Sequence, residues 1–129
     1  MFLLHTFETA STPPLEYLPV SAMKPEIGLA LTMEGGQLVK ASGSTAPTYI
    51  CMTKRDAACD AGEIIPVVRV QHGITFATTF STDAAAIKLG DKLTIADDGL
   101  QVTATTASGV AEVVKMEGTA EGDAVYIRF

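Results

Sequence analysis

The sequence is poor in several kinds of residue, and each shortage excludes a class of protein. Its 129 residues include no tryptophan and only 6% aromatics, and nine basic side chains stand against fifteen acidic ones, for a formal net charge of -6. A chain with so few basic residues, and with no basic run, neutralises few phosphates, which excludes a typical nucleic-acid-binding protein. At 47% apolar residues the chain is also too hydrophobic to remain disordered.

Cysteine and long apolar runs are scarce as well. The two cysteines, Cys51 and Cys59, are too few for a disulfide-dense secreted scaffold, and we expect both to be reduced thiols. A zinc site needs further ligands nearby, whereas His5 and His72 lie far from the cysteines in sequence. Neither a signal peptide nor the roughly 20 apolar residues of a membrane helix are found. We expect a soluble protein made in the cytoplasm, with no membrane partner and no metal or other cofactor.

Short β-strand patterns are abundant. Apolar and β-branched segments, such as 63–71 and 74–80, predict strands of four to eight residues that recur about every ten residues with glycine at the turns. The Asp98–Gly99 pair supplies the positive φ that a tight hairpin turn requires. These features predict a single all-β domain over residues 15–129, a small β-barrel or sandwich of about 8–10 short strands.

Two segments depart from the strand pattern. Asp83, followed by three alanines and a closing Gly90, is typical of a capped helix of about two turns, so we predict one short helix near residues 83–89. Residues 1–14 have no clean period and end in two prolines, which block both helix and sheet hydrogen bonds. We therefore predict an extended, flexible N-terminal arm over residues 1–14.

The residue patterns that carry chemistry are missing. The sequence has no nucleophile elbow and no glycine-rich phosphate loop with its lysine, and His72 beside Gly73 is typical of a solvated turn residue. Asp97 and Asp98 precede Gly99, but the alternating ligands and closing glutamate of a calcium loop do not follow. The sequence therefore predicts neither an enzyme nor a site for a metal or a small-molecule substrate.

The order of turn glycines and strands carries a resemblance to a known family. The stretches that carry it are AGEIIPVVRVQHGITFATT, DAAAIKLGDKLTIADDGLQVT and SGVAEVVKMEGTAEGDAVYIRF, preceded by GLAL, GQLVKA and TYICM. Over residues 15–129 the chain resembles the phage capsid cement, or head decoration, proteins (the lambda-like decoration proteins).

The resemblance implies a non-enzymatic structural protein of the virion. Family members look like compact β-barrels that form trimers on the outer surface of an expanded capsid. A homotrimer, with the major capsid protein as partner, is therefore implied. It also implies an arm that orders on the shell by adding a strand to a sheet edge, which would bury Phe2, Leu3, Leu4 and Phe7. The net charge of -6 fits the outer face of such a shell.

Two further functions stay open at this level. A small β-barrel that holds a carbohydrate or a peptide is expected to expose aromatic side chains, of which this chain has few. Another virion barrel, such as a tail-tube or baseplate component, would have the same strand pattern. An apolar content of 47% in a small acidic domain leaves apolar surface to share with a neighbouring subunit.

Overall fold

The computed structural model describes residues 1–8 and 13–129, and their strands form two antiparallel five-stranded sheets. The all-β prediction is confirmed, and the two sheets form a sandwich rather than a closed barrel. The ten strands are β1 (Leu3–Phe7), β2 (Leu15–Pro19), β3 (Ala30–Glu34), β4 (Gln37–Lys40), β5 (Tyr49–Cys51), β6 (Ile64–Arg69), β7 (Ile74–Thr79), β8 (Lys92–Leu93), β9 (Ala111–Met116) and β10 (Ala124–Arg128).

The two N-terminal strands lie at the edges of the two sheets. The first sheet has the order β1-β7-β10-β9-β8, and the second has the order β2-β6-β5-β3-β4. At the far ends from β1 and β2, the segments after β4 and β8 are joined, because Gly43 and Ile95 exchange N–H···O bonds of 2.8 and 2.9 Å. These hydrogen bonds close one side of the sandwich, and β1 and β2 are the first strands of the two sheets on the other side. The end of β2 is also bridged to β4, where Val20 pairs with Leu38.

The main core fills the space between the sheets, and a second apolar cluster lies behind the second sheet. Phe76 and Ile127 of the first sheet pack in the main core with Ile50 of the second, and all three are at most 1% exposed. On the other face of the second sheet, Val67 packs in a cluster that includes Cys59 from a loop. Val67 and Val68 of β6 point to opposite faces and are both buried, so the residues of this part of the strand are apolar in succession rather than in alternation.

The predicted short helix near residues 83–89 is wrong, and this segment forms turns. Its backbone N–H groups donate to other parts of the chain, that of Ala84 to the Thr119 carbonyl at 2.7 Å and that of Gly90 to the Val113 carbonyl at 2.8 Å. Two helical turns are marginal without packing, so these tertiary hydrogen bonds displace the helical ones. The residues that the structure describes contain no helix, and thus no helix that could span a membrane.

The edge strand β2 is tied to β6 by a two-point ion pair. Arg69 donates from Nε to Oε2 of Glu16 at 2.8 Å and from Nη2 to Oε1 at 2.9 Å. These hydrogen bonds, with the positive charge of Arg69, lower the pKa of Glu16 below its ordinary value, while the carboxylate raises that of the guanidinium. The pair lies at the surface, where solvent screens it, so its contribution to stability is small.

We expect Glu16→Gln to make the stability of the protein less dependent on acid pH. Because the pKa of Glu16 is lowered in the folded state, its carboxylate stabilises the fold above the unfolded-state pKa. That stabilisation is lost as the pH falls through the lowered value. Urea unfolding midpoints at neutral and at acid pH measure the effect. Glu121→Gln is the control, since Glu121 forms none of the ion pairs found in the described part of the chain. Equal pH dependence in wild type and Glu16→Gln would contradict the expectation.

Candidate functional site

The four apolar residues of the predicted arm lie in and just before β1, and the structure divides them into two pairs. Phe2 is 1% exposed in the main core, and Phe7 is half-buried against it. Leu3 and Leu4 are 44% and 37% exposed. Residues 9–12 of the arm lie outside the described residues. The flexibility of the arm, its boundary at residue 14 and its contacts with a capsid stay predictions.

Phe2 anchors the start of β1 in the core. Its ring meets that of Phe129 edge-on at 5.2 Å, and the Phe129 ring in turn lies 5.6 Å from Phe76. The Phe2 N–H donates to the Gly28 carbonyl at 2.9 Å. Aromatic pairs in this arrangement contribute beyond the area that they bury. β1 is thus held by side-chain packing at its start as well as by its pairing with β7.

Gly28 allows the residue before Phe2 to pass close to the backbone. Its φ is +81°, and a Cβ added there would lie 2.4 Å from the Met1 Cβ and 2.7 Å from the Phe2 nitrogen. The Met1 ammonium group donates to the Leu100 carbonyl. Partial burial lowers the pKa of this ammonium group, against the opposing influence of nearby carboxylates. Position 28 therefore needs glycine for both its conformation and its contact.

The outer face of the first sheet places an aromatic and charged cluster beside β1. The His5 ring centroid lies 4.4 Å from that of Tyr126, and Nζ of Lys115 lies 5.2 Å from the same ring. The Tyr126 hydroxyl donates to Oε1 of Glu117 at 3.0 Å, a hydrogen bond that raises the pKa of the tyrosine. Next to this cluster, Leu3 lines a shallow depression of about 330 Å³. Apolar, aromatic and charged groups together suit contact with a broad partner surface rather than enclosure of a small molecule.

The free edge of β1 is interrupted by an irregularity in its pairing. The register with β7 shifts between Leu4 and Thr6, which leaves His5 without an opposite residue. Such bulges bend an edge strand and discourage indiscriminate pairing with other strands. The edge is therefore open to a specific contact while being a poor template for aggregation.

The other sequence-predicted features are scattered. Cys51 and Cys59 are free and buried, and burial raises the pKa of the Cys51 thiol. His72 lines a depression of about 300 Å³, and the Asp98–Gly99 turn does not line the same depression. Within the described residues, no three potential metal-ligating side chains come together.

Sequence reasoning missed the core position of Phe2 and the cluster around Tyr126. The β1 pattern has no clean alternation because of its bulge, so a period of two could not assign Phe2 to an inward face. The cluster brings together residues from β1, β9 and β10 that are distant in sequence, so no local sequence motif predicts it. Only the alternation in β10, with Val125 and Ile127 buried on either side of Tyr126, marked that tyrosine as outward-facing.

We expect Phe2→Ala to destabilise the protein by about 3–5 kcal/mol, because it leaves a cavity beside Phe129 and Phe76. Leu3→Ala is the control in the same strand, and its cost should be well under half as large since Leu3 is 44% exposed. Urea unfolding followed by circular dichroism measures both. Equal losses in the two variants would show that Phe2 is not an anchor.

A matched pair of glycine variants tests the close approach at Gly28. Gly28 and Gly122 have φ angles of +81° and +87°, but a Cβ at Gly122 meets nothing within 4 Å. At both positions, alanine must adopt the left-handed backbone conformation, which lowers the free energy of unfolding by roughly 1–2 kcal/mol. We expect Gly28→Ala to cost about 1–3 kcal/mol more than Gly122→Ala, because the added methyl group displaces Met1 and Phe2. Equal unfolding free energies for the two variants would refute the close approach.

The fold is similar to that of a solved phage protein. The N base of the head fiber gp8.5 of bacteriophage phi29 aligns with a TM-score of 0.50 and 20% sequence identity, over 88% of this chain and 92% of that chain. At this level of identity the likeness is one of fold. No protein-family model and no curated protein matches the sequence.

Proposed function

We propose that this chain is a non-enzymatic structural protein of a phage head, which binds the outer surface of the capsid. The observation that carries the proposal is its likeness in fold to a phage head fiber base across nearly the whole length of both chains. The order of strands and turn glycines, which resembles the capsid cement proteins, supports the same role independently of that likeness.

The proposed contact with the major capsid protein is the exposed edge of β1. Leu3 and Leu4 present apolar side chains there, and Leu3 lies on the same face of the sheet as the cluster around Tyr126. The core position of Phe2 supports this choice, because it holds the strand in place before binding. A preorganised surface loses little conformational entropy on association, so modest contacts are sufficient.

We propose further that the protein acts as a homotrimer. A trimer that engages several capsid subunits binds more tightly than one copy, because the second and third contacts form at high effective concentration. Each copy then needs only a small interface, in keeping with the few exposed apolar side chains on β1.

Binding to expanded, undecorated capsids of the cognate phage tests the proposed function. Sedimentation of the mixture should show saturable, stoichiometric binding, and the decorated capsids should resist heat better than bare ones. Leu3→Asp combined with Leu4→Asp should weaken binding at least about tenfold, which corresponds to about 1.4 kcal/mol.

Leu3→Asp alone should also weaken binding, and its matched control is Leu89→Asp, which places the same single charge at an apolar side chain that is 63% exposed outside β1. Leu89→Asp should bind as the wild type does. Circular dichroism and unfolding midpoints check that every variant is folded. An absence of binding by the wild type would overturn the proposed function. Unchanged binding by the double variant would overturn the assignment of the contact to β1.

A further inference from the structure

Part of the second sheet bears exposed apolar side chains where β2 pairs with β6. The register sets Leu15 opposite Val68, Tyr17 opposite Pro66 and Pro19 opposite Ile64. Residues directly opposite each other in an antiparallel pair share one face of the sheet, and so do alternate residues of a strand. We call this surface, formed by Leu15, Tyr17, Pro19, Ile64 and Pro66, the β2–β6 apolar face.

This face is an uncovered continuation of the main core. Val68 lies on it and is 3% exposed, and its opposite residue in β5, Ile50, is 1% exposed in the main core. Farther along the same face, Leu15 is 47%, Ile64 51% and Tyr17 65% exposed. A sheet face that meets only water is normally polar, so apolar residues on this inner face indicate that something covers it.

Beside this face, β2 has backbone N–H and C=O groups that point away from β6. The Val20 N–H donates to the Glu63 carbonyl at 2.9 Å, toward the partner strand β6. Because the direction of backbone groups alternates along a strand, Glu16 and Leu18 also point toward β6, whereas Leu15 and Tyr17 point away from it. The end of this edge is already occupied by β4, because the Ser21 N–H donates to the Leu38 carbonyl at 2.9 Å and Val20 bridges Leu38. An incoming segment can therefore pair with the groups at Leu15 and Tyr17.

The distribution of charge indicates which partner this face contacts. The β2–β6 apolar face has no charged residue, and the single charged residues of the two strands, Glu16 and Arg69, neutralise each other in their ion pair. The chain as a whole carries -6, so two copies repel each other unless they approach through neutral surfaces. A locally neutral, apolar face with an open edge is therefore suited to contact a second copy of the same acidic chain.

We propose that the β2–β6 apolar face is the contact between copies of this chain in its assembled form. The inference rests on the proposed function, because it names the surface through which the proposed trimer forms. It leaves β1, at the edge of the other sheet, available for the capsid. Tyr17 lies at the centre of the contact, with Ile64 beside it on the neighbouring strand.

Light scattering after size-exclusion chromatography tests the contact in the full chain, over a wide range of concentration. The wild type should have the mass of a trimer, and Tyr17→Glu should shift to the mass of a monomer, with self-association weakened at least about tenfold. Ile64→Glu is a second, independent variant that should have the same effect. Leu89→Glu adds the same charge at a side chain with nearly the exposure of Tyr17, 63% against 65%, and should remain trimeric.

The outcomes separate this inference from the proposed function. Three results would overturn the contact. The wild type could be monomeric at every concentration, or Tyr17→Glu and Ile64→Glu could both fold and remain trimeric. Dissociation of the trimer by the control Leu89→Glu would overturn it as well. Capsid sedimentation of the same samples reports on the proposed function alone. A trimer that Tyr17→Glu dissociates but that never binds capsids would support the contact and overturn the capsid role. Circular dichroism and unfolding midpoints of each variant confirm that loss of assembly is not loss of folding.

Discussion

The packing of the two sheets on each other determines most of what is specific to this protein. Each sheet contributes one face to the main core, and the bridge between Gly43 and Ile95 joins the two sheets on one side. The second sheet is also covered from behind, so its strand β6 has apolar residues on both faces. Since the first sheet covers only part of the second, Tyr17 and Ile64 are left in solvent although they belong to the inner face.

The open side of the sandwich concentrates both proposed contacts. β1 and β2 are the terminal strands of the two sheets there, and each bears exposed leucine side chains, Leu3 and Leu4 on β1 and Leu15 on β2. Phe2 connects this side to the core through Phe129, so the edge is built on a rigid support. Surfaces of this kind bind flat partners by shape and apolar contact, which agrees with a structural role in a shell.

The sequence supported some predictions well and others poorly, and the difference follows from the range of the interactions. The strand runs 63–71 and 74–80 contain β6 and β7, because alternation and β-branched residues act locally. The helix over residues 83–89 failed, since its N–H groups find better partners on Thr119 and Val113, more than twenty residues away. Among the apolar residues of the arm, the sequence could not separate the buried Phe2 from the exposed Leu3.

The sequence by itself determined the class of fold and the absence of local catalytic motifs, because strand periods, turn glycines and charge content depend on neighbouring residues. Tertiary structure decided which apolar side chains are core and which are surface, since that depends on where one sheet ends above the other. Leu15 and Val68 illustrate the reason. They lie opposite each other on one sheet face, yet Leu15 is 47% exposed and Val68 is 3% exposed, and their positions in the sequence do not distinguish them.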